Sequence, residues 1–254
     1  MAGENGCVQL ALLALFLVIV ALLLMRAANR DKRDYRKFKK LKSTRKRQRT
    51  FAKWLRESFF LFGGLSCVVL LASYQFVPLV SQDALAWSPL AWIARHLSGD
   101  FGAGLGVGAA IALVLGLVLP VILLRKQLEE LPTVGDIGAL LPRTRGELLY
   151  GAGLAINAGL VEELLFRLGM PALLFGITGN ALVSFTLAAV LFGLLHLYQG
   201  IWGVIGAILL GIAFTLVYLL TGSILVAIAV HALVDLRALV LIPMVVRKVW
   251  RVTA

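Results

Sequence analysis

The sequence has few charged residues, two cysteines and no stretch in which polar and apolar residues alternate. Only 15% of its 254 residues are charged, 60% are hydrophobic, and the mean hydropathy is +0.93. A soluble domain is only about 45–50% apolar, so the composition excludes that class. Because the long apolar runs do not alternate, they predict transmembrane helices and exclude barrel strands.

The sequence also lacks the cysteine spacing that predicts metal binding. Cys7 and Cys67 lie in or at the edge of apolar segments, far from each other and without the spacing of metal ligands. We expect both to be small packing residues. The zinc-protease pattern His-Glu-x-x-His is also missing from the sequence.

The apolar runs are each about twenty residues long, which is enough to cross the ~30 Å hydrocarbon core of a bilayer as a helix. The expected fold class is therefore all-α, a polytopic membrane helix bundle of about seven transmembrane helices with a buried polar site. The predicted spans are residues 7–25, 58–80, 104–124, 154–175, 181–199, 201–221 and 223–243. Basic residues follow the first run and do not precede it, so we interpret this run as a retained anchor helix and not as a signal peptide.

Basic residues are concentrated between the first two spans. Residues 26–56 contain 15 of the 25 Lys and Arg residues, against Asp31 and Asp34 alone. Cytoplasmic loops carry such an excess of positive charge. The sequence thus predicts a cytoplasmic location for this segment, for the connection 125–147 and for the C-terminus. The N-terminus is expected on the outer side of the cell membrane.

The same basic segment predicts contact with anionic lipid headgroups, each basic residue near the surface contributing about 1 kcal/mol. Tyr35, Phe38, Phe51 and Trp54 are interspersed with its charges, as in an interfacial helix. Nucleic acid is the alternative partner of a basic segment. The segment contains no recognisable base-reading module, so we expect no nucleic-acid binding.

Two adjacent glutamates lie inside the fourth apolar run, and an arginine follows them. An ionisable residue at bilayer depth costs at least ~2.5–3.5 kcal/mol on insertion scales and is a functional-site hypothesis by default. Glu163 and Arg167 are four residues apart, the favourable order for an ion pair on a helix. Glu162 points about 100° away and is expected to face a cavity. A purely structural ion pair is the alternative, but it leaves Glu162 unexplained.

Later apolar runs contain two of the three histidines. His196 lies near the end of the fifth run, and His231 lies one helical turn before Asp235 in the seventh. With a rise of 1.5 Å per residue, Glu162, both histidines and Asp235 fall in the inner half of the bilayer. We therefore expect these side chains to converge on one site.

This order of motifs on successive membrane helices resembles the CPBP family, which comprises type II CAAX prenyl endopeptidases and bacteriocin-processing or immunity-associated proteins. The resemblance covers about 138–240. The matching motifs are Glu162-Glu163-Leu164-Leu165-Phe166-Arg167, Phe192-Gly193-Leu194-Leu195-His196 and His231-Ala232-Leu233-Val234-Asp235. Asp235 stands where many relatives carry Asn.

The resemblance implies an intramembrane endopeptidase whose catalytic set is Glu162, Glu163, Arg167, His196, His231 and Asp235. Glu162 would be the general base on a water molecule, assisted by His196. His231 and Asp235 would bind the scissile carbonyl and stabilise its oxyanion. We expect three regions: 1–56 as anchor helix and basic segment, 57–137 as accessory spans, and 138–245 as a core that resembles the protease family. Residues 1–56 have no part in the resemblance.

Several alternatives stay open at this point. Zinc is the alternative to a metal-free site, with Glu162, His196, His231 and Asp235 as candidate ligands, although no cofactor is favoured. The substrate is expected to be a membrane protein or peptide. The alternative functions are a non-proteolytic scaffold or immunity protein of the same fold, and a proton-coupled transporter, in which buried Glu and His would form a proton relay.

Overall fold

The structure is a computed structural model that describes residues 2–97, 100–123 and 135–252. These residues form α-helices joined by short π and 3₁₀ turns, and they contain no β-strand. The all-α fold class is thereby confirmed. The α-helices are α1 (Ala2–Met25), α2 (Lys32–Lys39), α3 (Thr44–Ser73), α4 (Val77–Ala86), α5 (Ser88–His96), α6 (Asp100–Leu123), α7 (Arg145–Glu163), α8 (Met170–Thr178), α9 (Ala181–Leu194), α10 (Ile201–Thr221), α11 (Ile224–Leu236) and α12 (Ile242–Val245).

The predicted spans coincide with a helix or with a continuous series of helices, except at two places. Residue 124 lies outside the described residues, and the fifth span, 181–199, is helical only as far as Leu194, where a turn ends α9. Within the described residues, four helical segments are long and apolar enough to cross a membrane: Gly6–Lys39, Thr44–Ala86, Ile201–Thr221 and Ile224–Val245. Ile111–Leu123 and Ala181–Leu194 are shorter apolar helices. The chain is therefore a membrane helix bundle, while the count of seven spans stays a prediction.

Three segments that the sequence assigns to the cytoplasm meet at one end of the bundle. Arg47 of the basic segment pairs with Glu147 at the start of α7, their Nε and Oε1 atoms being 2.9 Å apart. The backbone N–H of Arg145 donates to the carbonyl of Val252 at 3.0 Å. Residues 124–134 of the connection 125–147 lie outside the described residues. The shared end agrees with the predicted topology, but the side of the membrane stays a prediction.

The basic segment 26–56 has an inward and an outward side. Six of its basic residues form ion pairs with acidic residues: Arg26, Arg30, Arg33, Lys39, Arg47 and Lys53. Nine others are exposed and have no ion pair within the described part of the chain: Lys32, Arg36, Lys37, Lys40, Lys42, Arg45, Lys46, Arg49 and Arg56. The contact with anionic headgroups stays a prediction, and these nine residues are its candidates.

The aromatic residues of this segment do not form the interfacial face that the sequence suggested. Phe38 and Phe51 are buried, and their rings pack 5.0 Å apart. The ring of Trp54 lies 4.8 Å from that of Phe38, and the guanidinium of Arg47 lies 4.5 Å from the same ring. These rings shield the buried Arg47–Glu147 pair from water, which strengthens its electrostatic attraction.

Candidate active site

Three helices supply the residues of the site. Glu162 and Glu163 are the last two residues of α7, and Arg167 lies in the π-helical turn Leu164–Gly169 that follows it. His231 and Asp235 lie on α11, which packs closely against α7. A Cβ atom at Gly159 would lie 3.0 Å from the Cβ of Ala232. Glycine at this position therefore permits the close approach that brings α7 side chains to α11.

Glu163 is the centre of a buried ionic cluster. Its Oε1 lies 2.6 Å from Nδ1 of His231, and its Oε2 lies 3.0 Å from Nε of Arg167. Glu163 is fully buried and Arg167 is 1% exposed. The Arg167 contact is an ion pair by distance, although its angle is not that of a hydrogen bond. The helical spacing predicted the partner Arg167 but not the partner His231.

Aromatic rings compensate for the buried charge of Arg167. Its guanidinium carbon lies 4.6 Å from the ring centroid of Phe192 and 5.3 Å from that of Phe214. Such cation–π contacts stabilise a desolvated cation by about 2 kcal/mol. Phe214 also stacks on the imidazole of His231, with centroids 4.6 Å apart. Sequence reasoning missed Phe214 because nothing in the apolar pattern of α10 distinguishes it from a core residue.

Asp235 lies beside the other nitrogen of the His231 ring. Its Oδ2 is 3.7 Å from Nε2, which is too long for a hydrogen bond. The side chain of Asp235 is 34% exposed, whereas that of His231 is 5% exposed. Nδ1 of His231 is thus engaged by Glu163. Nε2, which lies beside Asp235, is the ring nitrogen that can interact with another group.

Glu162 and His196 line a cavity of about 100 Å³. Nδ1 of His196 lies 2.9 Å from the carbonyl oxygen of Phe192. Because a carbonyl only accepts hydrogen bonds, Nδ1 must carry a hydrogen, and Nε2 of the neutral ring is left as an acceptor. The cavity therefore contains a carboxylate and an imidazole nitrogen, both of which accept protons. Its lining residues are Leu23, Arg26, Asp31, Phe62, Glu162, Phe166, Phe192, Leu195, His196 and Tyr198.

Part of the cavity wall comes from the N-terminal segment. Leu23 lies on α1, and Arg26 and Asp31 lie in the π-helical turn after it. Nε of Arg26 donates to Oδ2 of Asp31 at 3.3 Å. Sequence reasoning missed both residues because their charges formed part of a run that indicated the cytoplasmic surface. It also missed Tyr198, which follows His196 by two residues and carries no motif signal.

The six candidate site residues fall into two groups. Glu162 and His196 line the cavity, whereas Glu163, Arg167, His231 and Asp235 belong to the ionic cluster. Phe192 connects the groups, since its ring centroid lies 4.9 Å from that of His196 and 6.1 Å from that of His231. The candidate side chains thus converge on one small region, as expected. His231 and Asp235 are not among the residues that line the cavity.

The described residues of the site do not form a ligand set for a metal ion. Across the described ranges, no three His, Cys, Asp or Glu side chains are grouped so that they could hold one. Glu163 and the Nδ1 atoms of both histidines are engaged in contacts within the protein. As placed, these residues do not fit a three-ligand zinc site, and we derive no step through a metal.

Comparison with known proteins supports one family. Residues 144–237 match the family model described as type II CAAX prenyl endopeptidase Rce1-like. This segment contains all six candidate residues, and the match supports the resemblance to the CPBP family over this part of the chain. Comparison with curated proteins and with solved structures gives no significant match.

Proposed function

We propose that this protein is a CAAX-type intramembrane endopeptidase that uses a water molecule activated by Glu162 and His196. The observation that carries the proposal is the placement of these two side chains in one cavity. Both present acceptor atoms there, and two acceptors can hold and deprotonate a water molecule. Glu163 and Arg167 stabilise the end of the helix on which the base stands.

The reaction begins with removal of a proton from water by the Glu162 carboxylate. The water oxygen forms a bond to the carbonyl carbon of the scissile peptide, and the carbonyl π electrons move to its oxygen. His196 orients the water through its Nε2 atom. When the tetrahedral intermediate collapses, the C–N bond breaks and Glu162 returns the proton to the leaving nitrogen. The products are a carboxylic acid and an amine, so atoms and charges balance.

Glu163 acts on the reaction indirectly. Its two oxygens engage Arg167 on its own helix segment and His231 on α11. This link fixes the end of α7 that carries Glu162, and it holds the His231 ring with Nε2 beside Asp235. As the family resemblance implies, we propose that His231 in its doubly protonated form donates from Nε2 to the substrate carbonyl oxygen, because Nδ1 already donates to Glu163. The carboxylate of Asp235 beside Nε2 stabilises the charged ring. Groups that are held in place before reaction stabilise developing charge without reorganisation.

The substrate is proposed to be a peptide or protein at the membrane, including a lipidated one. The matched family is named for prenyl endopeptidases, whose substrates carry a prenyl chain. Exposed apolar side chains on the spans, among them Leu182, Leu187 and Leu209, indicate that lipid chains surround the site's helices. A substrate anchored by an acyl or prenyl chain would reach the cavity from the same phase.

The test compares cleavage by purified wild-type protein and by Glu162→Gln. The substrates are a farnesylated CAAX peptide and an unmodified transmembrane peptide, each in lipid nanodiscs. Wild-type protein should cleave at least one, and Glu162→Gln should reduce turnover by about 10²–10⁴-fold while folding normally. Asp34→Asn is the control, because Asp34 pairs with Arg30, Arg33 and Lys53, none of which lines the cavity, and it should retain wild-type turnover.

Near-normal turnover by Glu162→Gln would reject the assignment of the base. A folded wild-type protein that cleaves neither peptide would reject the protease proposal and favour a non-proteolytic scaffold or immunity protein of the same fold. Proton-coupled uptake of a solute by the reconstituted protein, lost in Glu162→Gln, would instead identify a transporter.

A further inference from the structure

We propose that Tyr198 is a further catalytic residue, whose phenol group donates a hydrogen bond to the carbonyl oxygen of the bond being cleaved. This inference rests on the proposed peptidase function and adds a specific donor to it. It follows from the position of the tyrosine, from its hydrogen bonding and from the shortage of other donors in the cavity.

Position is the first argument. Tyr198 lies in the 3₁₀ turn Leu197–Gln199, which follows His196 directly. This turn places the tyrosine ring in the wall of the cavity that Glu162 and His196 share. The imidazole of His196 and the ring of Tyr198 are nearly parallel, with centroids 6.1 Å apart. The attacking water molecule lies between Glu162 and His196. The substrate carbonyl group that it attacks is therefore within reach of this wall.

The hydrogen bonding of the phenol leaves its proton available. Nε2 of Gln199 donates to Oη of Tyr198 at 2.9 Å. A phenol is both a donor and an acceptor, and this bond uses only its acceptor capacity. Among the described residues, none accepts a hydrogen bond from Oη. The bond from Gln199 also polarises the O–H group and strengthens it as a donor.

Among the other polar residues that line the cavity, Arg26 alone has N–H groups to spare, and its guanidinium is held between the carboxylates of Asp31 and Glu57. Glu162 and Asp31 are acceptors as carboxylates. Nε of Arg26 donates to Asp31, and the N–H of His196 donates to the carbonyl of Phe192. His231, already proposed as a donor from Nε2, is engaged by Glu163 through Nδ1 and is not a lining residue of the cavity, so a donor from the lining would act beside it. Since an oxyanion in a dry site requires a donor at hydrogen-bond distance, Tyr198 is the lining residue that best meets the requirement.

The ring of Tyr198 is held by a second tyrosine. The edge of the Tyr35 ring packs against it, with centroids 5.3 Å apart. Oη of Tyr35 in turn donates to the backbone carbonyl of Asp136. Tyr35 on α2 thus supports the position of Tyr198, although it lies outside the segment that matches the family model. A donor fixed in this way needs no rearrangement when charge develops on the substrate.

Tyr198 neither gains nor loses a proton in this role. As the water oxygen bonds to the carbonyl carbon, the π electrons of the C=O bond move to oxygen, and the phenol O–H donates to that oxygen. The water proton goes to Glu162 and then to the leaving nitrogen. When the C–N bond breaks, the C=O bond re-forms and the hydrogen bond to Tyr198 weakens.

The test is the kinetics of Tyr198→Phe, which keeps the ring and removes only the hydroxyl group. Loss of one oxyanion donor lowers kcat by about 10²–10³-fold, and KM should change little because the bond is strongest in the transition state. Tyr35→Phe is the matched control. It removes the same group from the neighbouring ring, whose hydroxyl faces Asp136, and it should keep kcat within about threefold of wild type.

A Tyr198→Phe variant with wild-type kcat, or with a raised KM and unchanged kcat, would overturn the role of Tyr198. An equal loss in Tyr198→Phe and Tyr35→Phe would assign the effect to packing and overturn it as well. Should Tyr198→Phe also fold less stably, fluorotyrosine incorporated at position 198 makes the phenol more acidic at nearly constant shape. A kcat that changes with fluorination supports the donor role, and an unchanged kcat rejects it. Wild-type cleavage that Glu162→Gln abolishes preserves the peptidase proposal in every one of these cases.

Discussion

Glu163 on α7 and His231 on α11 are joined by a contact of 2.6 Å between Oε1 and Nδ1, although 68 positions separate them in the sequence. The same carboxylate is paired with Arg167 through its other oxygen. One side chain therefore connects the π-helical turn after α7 to the helix that carries Asp235. The two adjacent glutamates have different surroundings as a result, since Glu162 lines the cavity and Glu163 is fully buried.

Stability is expected to depend on Glu163 far more than on Glu162. In Glu163→Ala, Arg167 becomes a buried cation without its carboxylate, and such a loss costs about 3–5 kcal/mol. Glu162→Ala removes no ion-pair partner of Arg167. Unfolding of both variants in the same detergent measures the difference. Equal stabilities would contradict the role of Glu163 as the structural glutamate.

A second buried pair should anchor the basic segment to the core. Arg47 and Glu147 are 1% and 0% exposed, and the guanidinium also donates to the carbonyls of Ala139 and Leu141. We expect Arg47→Ala to lower the free energy of unfolding by about 3–5 kcal/mol, because Glu147 would remain buried and unpaired. Arg49→Ala is the matched control, since Arg49 is exposed, and it should change stability by less than about 0.5 kcal/mol.

Lipid binding by the basic segment should depend on the distance of each charge from the bilayer. Lys32, Arg49 and Arg56 lie nearer the apolar spans than Lys40, Lys42 and Lys46, and all six are exposed. The potential of an anionic surface decays over a Debye length of about 8 Å. Neutralising the first three should weaken binding of anionic lipid by up to about 1 kcal/mol per residue, and neutralising the second three by less.

The measurement is the amount of anionic lipid retained by the purified protein after exchange into a neutral detergent. The two triple variants carry the same change in charge, so they control for each other. Equal retention by both and by wild type would contradict a headgroup-binding face. Tight binding of RNA that these substitutions abolish would assign the face to nucleic acid instead.

Topology can be tested by labelling of single cysteines. Cysteines at residue 3 and near residue 90 should react with an impermeant reagent from outside, and those near 45 and 252 should react only from the cytoplasm. The expectation rests on the excess of Lys and Arg in residues 26–56. Labelling of residue 45 from outside would reverse the orientation of the bundle and place the cavity in the opposite leaflet.

Metal dependence is the remaining prediction. Because the described residues do not group three ligands, we expect less than one equivalent of zinc in purified protein and retained activity after chelation. Elemental analysis beside a peptidase assay checks both. Stoichiometric zinc, lost together with activity and restored by adding zinc back, would contradict this. Glu162, His196 and His231 would then be ligands, and another carboxylate would have to act as the base.

The sequence by itself determined the class of fold and the identity of most candidate residues. Apolar runs of membrane length leave the chain little alternative to helices, because an unpaired backbone group in lipid costs several kcal/mol. The spacing of Glu163 and Arg167 predicted their ion pair, since residues four apart share a helix face. Ionisable side chains are rare in such runs, so Glu162, His196, His231 and Asp235 stood out individually.

Only the tertiary structure decided which of these side chains meet. Helical periodicity describes one helix at a time, whereas the partner of Glu163 on α11 depends on the close packing of two helices at Gly159. The same limit applies to Arg26, whose charge indicated a surface loop and whose position is a cavity wall. No pattern in the sequence marked Tyr198. Its place beside Glu162 and His196 follows from the 3₁₀ turn after α9 and from the packing of the Tyr35 ring against its own ring.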